Sequence, residues 1–292
     1  MRKFRESELI INPNGSIYHL NLQPEQVAGK VILVGDQGRV PMVSAHFDKI
    51  EHKSHNREFV THTGLYKNQP VTVLSTGIGT DNIDIVLNEL DALANIDFRS
   101  RTTKDQLTSL EIIRLGTSGA MQKDIPVDTL VASSHGLGFD GLLHFYDYDS
   151  RLLATEITEA FVKYTSWNEK LPYPYIVAAN DKLLKRIAYD MTSGITATAN
   201  GFFGPQGREL RIPLAYPDLN QRIESFQFHN HRITNFEMET SALYALGKIL
   251  GHKTLTVCSI IANRARKEYS ADYKKTVEEM IARVLDRFVS ED

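Results

Sequence analysis

A single cysteine, Cys258, stands in 292 residues, so the chain can form neither an internal disulfide nor a Cys-rich zinc site. Long hydrophobic runs are missing too. The longest apolar stretch, residues 254–262, falls far short of the roughly 20 residues that a membrane-spanning helix needs. The first eleven residues are charged and hold no apolar core of the kind a secretory signal carries. Neither sign of charge dominates: 33 Lys and Arg against 36 Asp and Glu leave a net charge of −3, which excludes a polybasic protein gripping nucleic acid by charge. No internal repeat and no Pro/Ser-rich linker interrupts the chain. The expectation is one soluble, cytoplasmic, globular unit in a reducing compartment, with no membrane or nucleic-acid partner.

What is present is an alternation of short apolar runs with helical patterns. Residues 30–35, 71–76, 111–116, 129–133, 175–179 and 255–262 read as strands, being rich in Val and Ile and punctuated by glycine or polar residues. Ile83, Val86, Leu87, Leu90, Leu93 and Ala94 fall on one helical face, as do Val277, Met280, Ile281, Val284, Leu285 and Phe288. Residues 239–250 form a third helix candidate, ended by Gly251. This order predicts an α/β fold with its ligand at the carboxyl ends of the strands. Glycine-bearing loops are expected there, after strands, at Gly35, Gly77 and Gly116. Polar residues 97–109 read as an exposed excursion.

Four segments carry chemistry. Gly35-Asp36-Gln37-Gly38-Arg39 and Arg114-Leu115-Gly116-Thr117-Ser118-Gly119 each join glycines to an arginine, which suits a small anion. Solvated turns would look the same. Gly77-Ile78-Gly79 lacks the third glycine of a dinucleotide fingerprint, and no Walker A sequence occurs, so the implied ligand is a small free anion such as orthophosphate. Asn235-Phe236-Glu237-Met238-Glu239 offers carboxylates that could accept from vicinal hydroxyls or simply complement a helix dipole. Phe202-Phe203-Gly204-Pro205-Gln206-Gly207-Arg208 combines an aromatic face with an amide and a guanidinium able to read a ring edge. His229 and His231 read as a solvated loop rather than metal ligands, His52, His55 and His62 as a surface hairpin, Cys258 as an inert buried thiol, and Trp167 as a packing anchor.

In that order, together with Tyr18-His19-Leu20, Ser54-His55-Asn56-Arg57-Glu58-Phe59 and Asn263-Arg264, these segments resemble the nucleoside phosphorylase-I family, most closely its uridine phosphorylases. The resemblance implies a three-layer αβα fold with a central mixed sheet, as one domain over residues 1–292 in which 97–109 is an insertion. It implies phosphorolysis of a pyrimidine nucleoside to free base and ribose 1-phosphate. Gly35, Arg39, Arg114 and Thr117 would then bind phosphate, with Arg57 supplied by a neighbouring subunit. Glu239, Met238 and a neighbour's His19 would hold the ribose; Phe202, Gln206, Arg208, Ser118 and Gly119 would surround the base, and Arg264 would close over it. Gln206, Arg208 and Arg264 would be the catalytic groups, stabilising charge on the departing base. No metal or organic cofactor is implied, only inorganic phosphate as co-substrate, and the oligomer is a homodimer or a trimer of dimers. Purine-specific relatives carry an aspartate where this chain has Ala262-Asn263-Arg264. A purine phosphorylase, a nucleosidase and a non-catalytic nucleoside-binding protein remain the rival readings. Gln37 stands where the family usually has proline, and Gly204-Pro205 inverts the family's order.

Overall fold

The computed structural model describes residues 2–290. Strand β1 (Lys30–Val34) leads to the short helix α1 (Arg39–Ser44), then to a meander of β2 (Lys49–Asn56), β3 (Phe59–Tyr66) and β4 (Gln69–Ser75), and to helix α2 (Thr80–Asn95). A two-residue pair, β5 (Ile96–Asp97) and β6 (Thr102–Thr103), precedes the long strands β7 (Glu111–Ala120) and β8 (Leu130–Gly138). Next come α3 (Thr155–Thr165), β9 (Tyr175–Ala178), α4 (Asp181–Ala188), β10 (Thr192–Thr198) and α5 (Leu219–Ser225). The chain ends with β11 (Gln227–Phe228), β12 (His231–Glu237), α6 (Thr240–Ile249), β13 (Lys253–Asn263), β14 (Glu268–Tyr269) and α7 (Tyr273–Val289).

The sheet is mixed. Val31, Ile32, Leu33 and Val34 are all fully buried, as a strand covered on both faces must be, and β1 accordingly runs parallel to both β4 and β7. At one edge β2 alternates exposed and half-buried residues, and its Lys49, Glu51 and Lys53 put charge on the exposed face. Toward the other end, β12 pairs with β10 and also antiparallel with the tip of β7, at Asn235↔Ala120 and Phe236↔Gly119. That extra pairing closes β7, β13, β8, β10 and β12 into a ring and brings the ends of β7 and β12 together. Helices flank the sheet, α2 against α6 and α4 against α7, giving the expected αβα layering. The apolar stripes read from the sequence are the buried faces of α2 and α7. Gly251, at φ +79°, follows α6 in the left-handed conformation that ends helices. Trp167 packs on Phe139 and Phe161, with ring centroids 4.8 and 5.6 Å away.

One expectation needs correction. Residues 114–119 are not a loop after a strand, because β7 runs unbroken to Ala120. Gly116 is there for space rather than for a turn. A Cβ on it would lie 2.2 Å from Arg114 Nη1 and 3.0 Å from Cys258 Sγ, so its hydrogen side is where the Arg114 side chain passes along the strand. Residues 97–109 are exposed over much of their length but are not free: Lys3 bridges to Thr102, and the Arg101 guanidinium donates to the carbonyls of Phe4 and Arg5, both at 3.1 Å.

Candidate active site

Three strand ends meet at the site. After β1, Asp36 Oδ1 accepts from the Gly38 amide at 2.9 Å and folds the chain back, so that Arg39 opens α1 with its side chain directed inward. Arg39 Nη1 donates to the Leu115 carbonyl of β7 at 3.0 Å. Burial lowers the Arg39 pKa, and the neighbouring Arg114 guanidinium lowers it further. A second guanidinium close enough to depress the first marks a pocket for an anion. After β4, Gly77 at φ +71° and Gly79 at φ +103° form the second turn, in conformations that only glycine adopts freely. A Cβ on Gly35 would meet the Gly77 carbonyl at 3.5 Å, so the two turns lie side by side.

Arg114 itself is buried, with 5% of its side chain exposed, and it faces two buried carboxylates. It pairs closely with Glu239 and, at 3.3 Å, with Glu237. Burial pulls the Arg114 pKa down, but the two carboxylates outweigh it and hold the guanidinium above its usual value. Its Nε–H is buried and has no hydrogen-bond partner among the described residues. Glu239 also accepts the Gly79 amide at 2.8 Å. Burial raises its pKa to about 7 against the pull of Arg114, and Glu237 pushes it the same way. Glu237 works differently. It accepts from the Thr198 hydroxyl at 2.6 Å and from the backbone amides of Glu239 and Thr240, so its carboxylate caps the start of α6. Asn235 to Glu237 therefore complete a strand rather than a helical turn, and Glu239 is the N-cap residue of α6. Met238 lies half-buried between the two acids, Thr117 half-buried on β7, and Ser118 Oγ accepts from Asn235 Nδ2 at 2.9 Å where β7 and β12 close.

The third cluster is the turn at 202–208. Gly207 takes φ +65°, and the Gln206, Gly207 and Arg208 amides bond back to the carbonyls of Phe203 and Gly204. Arg208 Nη1 donates to Gln206 Oε1 at 2.6 Å and to the Phe202 carbonyl at 2.5 Å, and its guanidinium lies 3.7 Å from the centre of the Phe202 ring. Burial and the nearby Arg264 lower the Arg208 pKa to about 10. Arg264, just beyond β13, donates to the Gln206 carbonyl at 2.5 Å. Phe202, Gln206, Arg208 and Arg264 thus lie together in one cluster. A cavity of about 640 Å3 opens beside this turn, lined by Phe203, Arg208, Ile212, Tyr216 and Trp167 among others; it contains neither Arg114 nor Glu239.

His19 and Arg57 lie apart from these clusters. The exposed Arg57 turns to Tyr18, 5.7 Å from its ring, while His19 Nδ1 sits 2.6 Å from Glu89 Oε1. The Arg57 carbonyl accepts from Gln37 at 2.9 Å, which ties the β2–β3 hairpin tip to the first turn. His52, His55 and His62 do lie on that hairpin. His231 packs against His135, rings 4.9 Å apart, and Cys258 is a buried thiol whose pKa burial raises to about 12.

Comparison with known proteins gives this arrangement a family. The model of the phosphorylase superfamily matches residues 30–290. The chain belongs to the phosphorylase superfamily. A uridine phosphorylase of Thermococcus kodakarensis is 31% identical over 278 residues, covering 92% of this chain and 85% of that protein. The structure of a Trypanosoma brucei nucleoside phosphorylase, described as showing uridine phosphorylase activity, superposes with a TM-score of 0.86 at 29% identity, covering 97% of this chain and all of that one. A DeoD-type purine nucleoside phosphorylase of Bacillus thuringiensis is 26% identical over 94% of this chain and 99% of its own length. Within the superfamily, then, similar proteins are nucleoside phosphorylases that divide over the base. No described helix of the chain is long and apolar enough to cross a membrane.

Sequence reasoning missed the Gly79 amide that holds Glu239, the capping role of Glu237, and Asn220, whose Nδ2 donates to the Gln206 carbonyl at 2.7 Å. The Glu-Met-Glu spacing was a visible signal for Glu237. Nothing local marks Asn220.

Proposed function

We propose that the protein catalyses reversible phosphorolysis of uridine, with inorganic phosphate as co-substrate and no metal or organic cofactor. The observation that carries this is the buried Nε–H of Arg114, left without a protein partner beside a second inward guanidinium, Arg39, and next to Glu239. An anion held by Arg39, Arg114, the Gly35 backbone and Thr117 sits beside a carboxylate suited to a sugar diol. In the reaction a phosphate oxygen bonds to C1′ as the C1′–N1 bond breaks. The electron pair leaves with uracil through an oxocarbenium-like state. Glu239 accepts from the ribose hydroxyls and Met238 packs on the sugar. Gln206 and Arg208 hydrogen-bond the uracil edge and stabilise its developing negative charge, and Arg264 approaches O4. Ser118 and Gly119 border the base, and Phe202 stacks on it. In this reading residues 1–292 act as one domain and the active unit is at least a homodimer, in which Arg57 and His19 reach a neighbouring site from their exposed or half-exposed positions beside Tyr18.

The test is uracil release from uridine with and without phosphate, with inosine alongside. Phosphate-dependent release from uridine is expected. Release from inosine instead favours the purine reading that the DeoD-type relative keeps open. Release without phosphate would make the protein a hydrolase. Arg208→Ala should lower kcat/KM for uridine by about 10²–10³-fold, the usual cost of removing one charge-stabilising donor, while the fold survives. Unchanged turnover in that variant would refute the base assignment.

A further inference from the structure

The turn proposed to read the base edge buries Gln206 but takes few hydrogen bonds from the rest of the described fold. Its internal hydrogen bonds link Phe202, Phe203 and Gly204 to Gln206, Gly207 and Arg208, all within the turn. Phe202 and Phe203 are each about half exposed. The cavity of about 640 Å3 on its flank offers space into which it could swing. Two donors from elsewhere in the fold reach the turn, both at the Gln206 carbonyl. One is Arg264, on an exposed loop; the other is the side-chain amide of Asn220, at 2.7 Å, in the first turn of α5. Asn220 also fits against Gly207: a Cβ there would lie 2.0 Å from its Nδ2. The left-handed glycine and the amide are thus shaped to one another, and α5 is anchored in turn by Ile223, which is buried in an apolar cluster with Phe161, Phe226 and Phe236.

We propose that Asn220 is the positioning residue of the base site. By donating to the Gln206 carbonyl it fixes the turn against α5 at the cavity wall and sets the Gln206 amide and the Arg208 guanidinium at the spacing a pyrimidine edge requires. Asn220 touches no substrate. Its effect is on base recognition, not on the proposed phosphate pocket, which is drawn from the turn after β1, from α1 and from β7. The proposal rests on the uridine reading above.

Asn220→Leu keeps the side-chain volume and removes the donor. The expected result is a uridine KM raised about tenfold, the worth of one neutral hydrogen bond, with the phosphate KM within twofold of the parent and the melting temperature little changed. Gly207→Ala, which drives a methyl into the same amide, should raise the uridine KM in the same direction. Amide hydrogen exchange supplies a readout independent of substrate: Gln206, Gly207 and Arg208 should exchange faster in Asn220→Leu, while β7 and α6 keep parental protection. An unchanged uridine KM, or an equal rise in both KM values, overturns the proposal, as does unaltered exchange in the turn. If the parent releases no uracil from uridine, the functional reading fails by itself, and the exchange comparison still decides whether Asn220 holds the turn.

Discussion

Replacing Arg114 by methionine removes the cation that faces two buried carboxylates, and its consequences follow from the geometry. Glu237 keeps three donors: the Thr198 hydroxyl and the amides of Glu239 and Thr240. Among the described residues Glu239 keeps the Gly79 amide alone as a donor. Its side chain is 4% exposed, so an unpaired carboxylate there is costly. Breaking a buried pair by removing one partner typically destabilises by about 3–5 kcal/mol, and that is the expected loss at pH 9. In the parent the Glu239 pKa is already raised to about 7; without the pull of Arg114 it moves higher. Between the unfolded carboxyl value near 4.3 and this shifted value the native state binds one more proton than the unfolded state. Stability therefore falls as pH rises through that window, by roughly 1.4 kcal/mol per unit. From pH 7 to pH 9 the parent should be insensitive to this group while Arg114→Met continues to lose stability. Urea denaturation of both proteins at pH 7, 8 and 9 measures it. A gap below about 1 kcal/mol at pH 9, or one that stays constant over the range, would show that Arg114 and Glu239 do not depend on each other as described.

The same carboxylate makes a kinetic prediction. Glu239 accepts sugar hydroxyls best as the anion, so with a pKa near 7 the kcat/KM for uridine should rise roughly tenfold from pH 6 to pH 8 when phosphate dianion is held constant. Glu239→Gln should be slower and flat across that range, and an identical profile in the two proteins would remove Glu239 from the titration. Cys258 is fully buried with its thiol pKa raised to about 12, so an aromatic disulfide reagent at pH 8 should leave the folded protein unmodified and label it stoichiometrically in denaturant. Rapid labelling of the folded protein would contradict that burial.

Much of the architecture is legible in local pattern. The Val and Ile runs of β1, β4 and β13 and the apolar stripes of α2 and α7 announce themselves because burial on one or both faces imposes a period on the residues. The Gln206–Arg208 unit was legible for the same reason: its partners are two residues apart. Gly116 misled because a glycine after an apolar run signals a turn by default, whereas here it clears a path for a side chain two residues earlier on the same face. Asn220 carried no signal, since it lies 14 residues from the carbonyl it holds and only the return of α5 brings the two together.

Residue type, strand and helix period, and the chemical kinds of group available for anion, sugar and base are properties of this chain as written. Which groups meet is not. Arg114 and Glu239 are 125 residues apart and become one buried pair only because β12 closes onto β7 and α6 starts at that seam. The raised pKa of Glu239 comes from the water that this closure excludes, and that of Arg114 from the two carboxylates the closure sets against it, outweighing its own burial. Desolvation is a property of packing, and packing at such separation leaves no mark on local sequence.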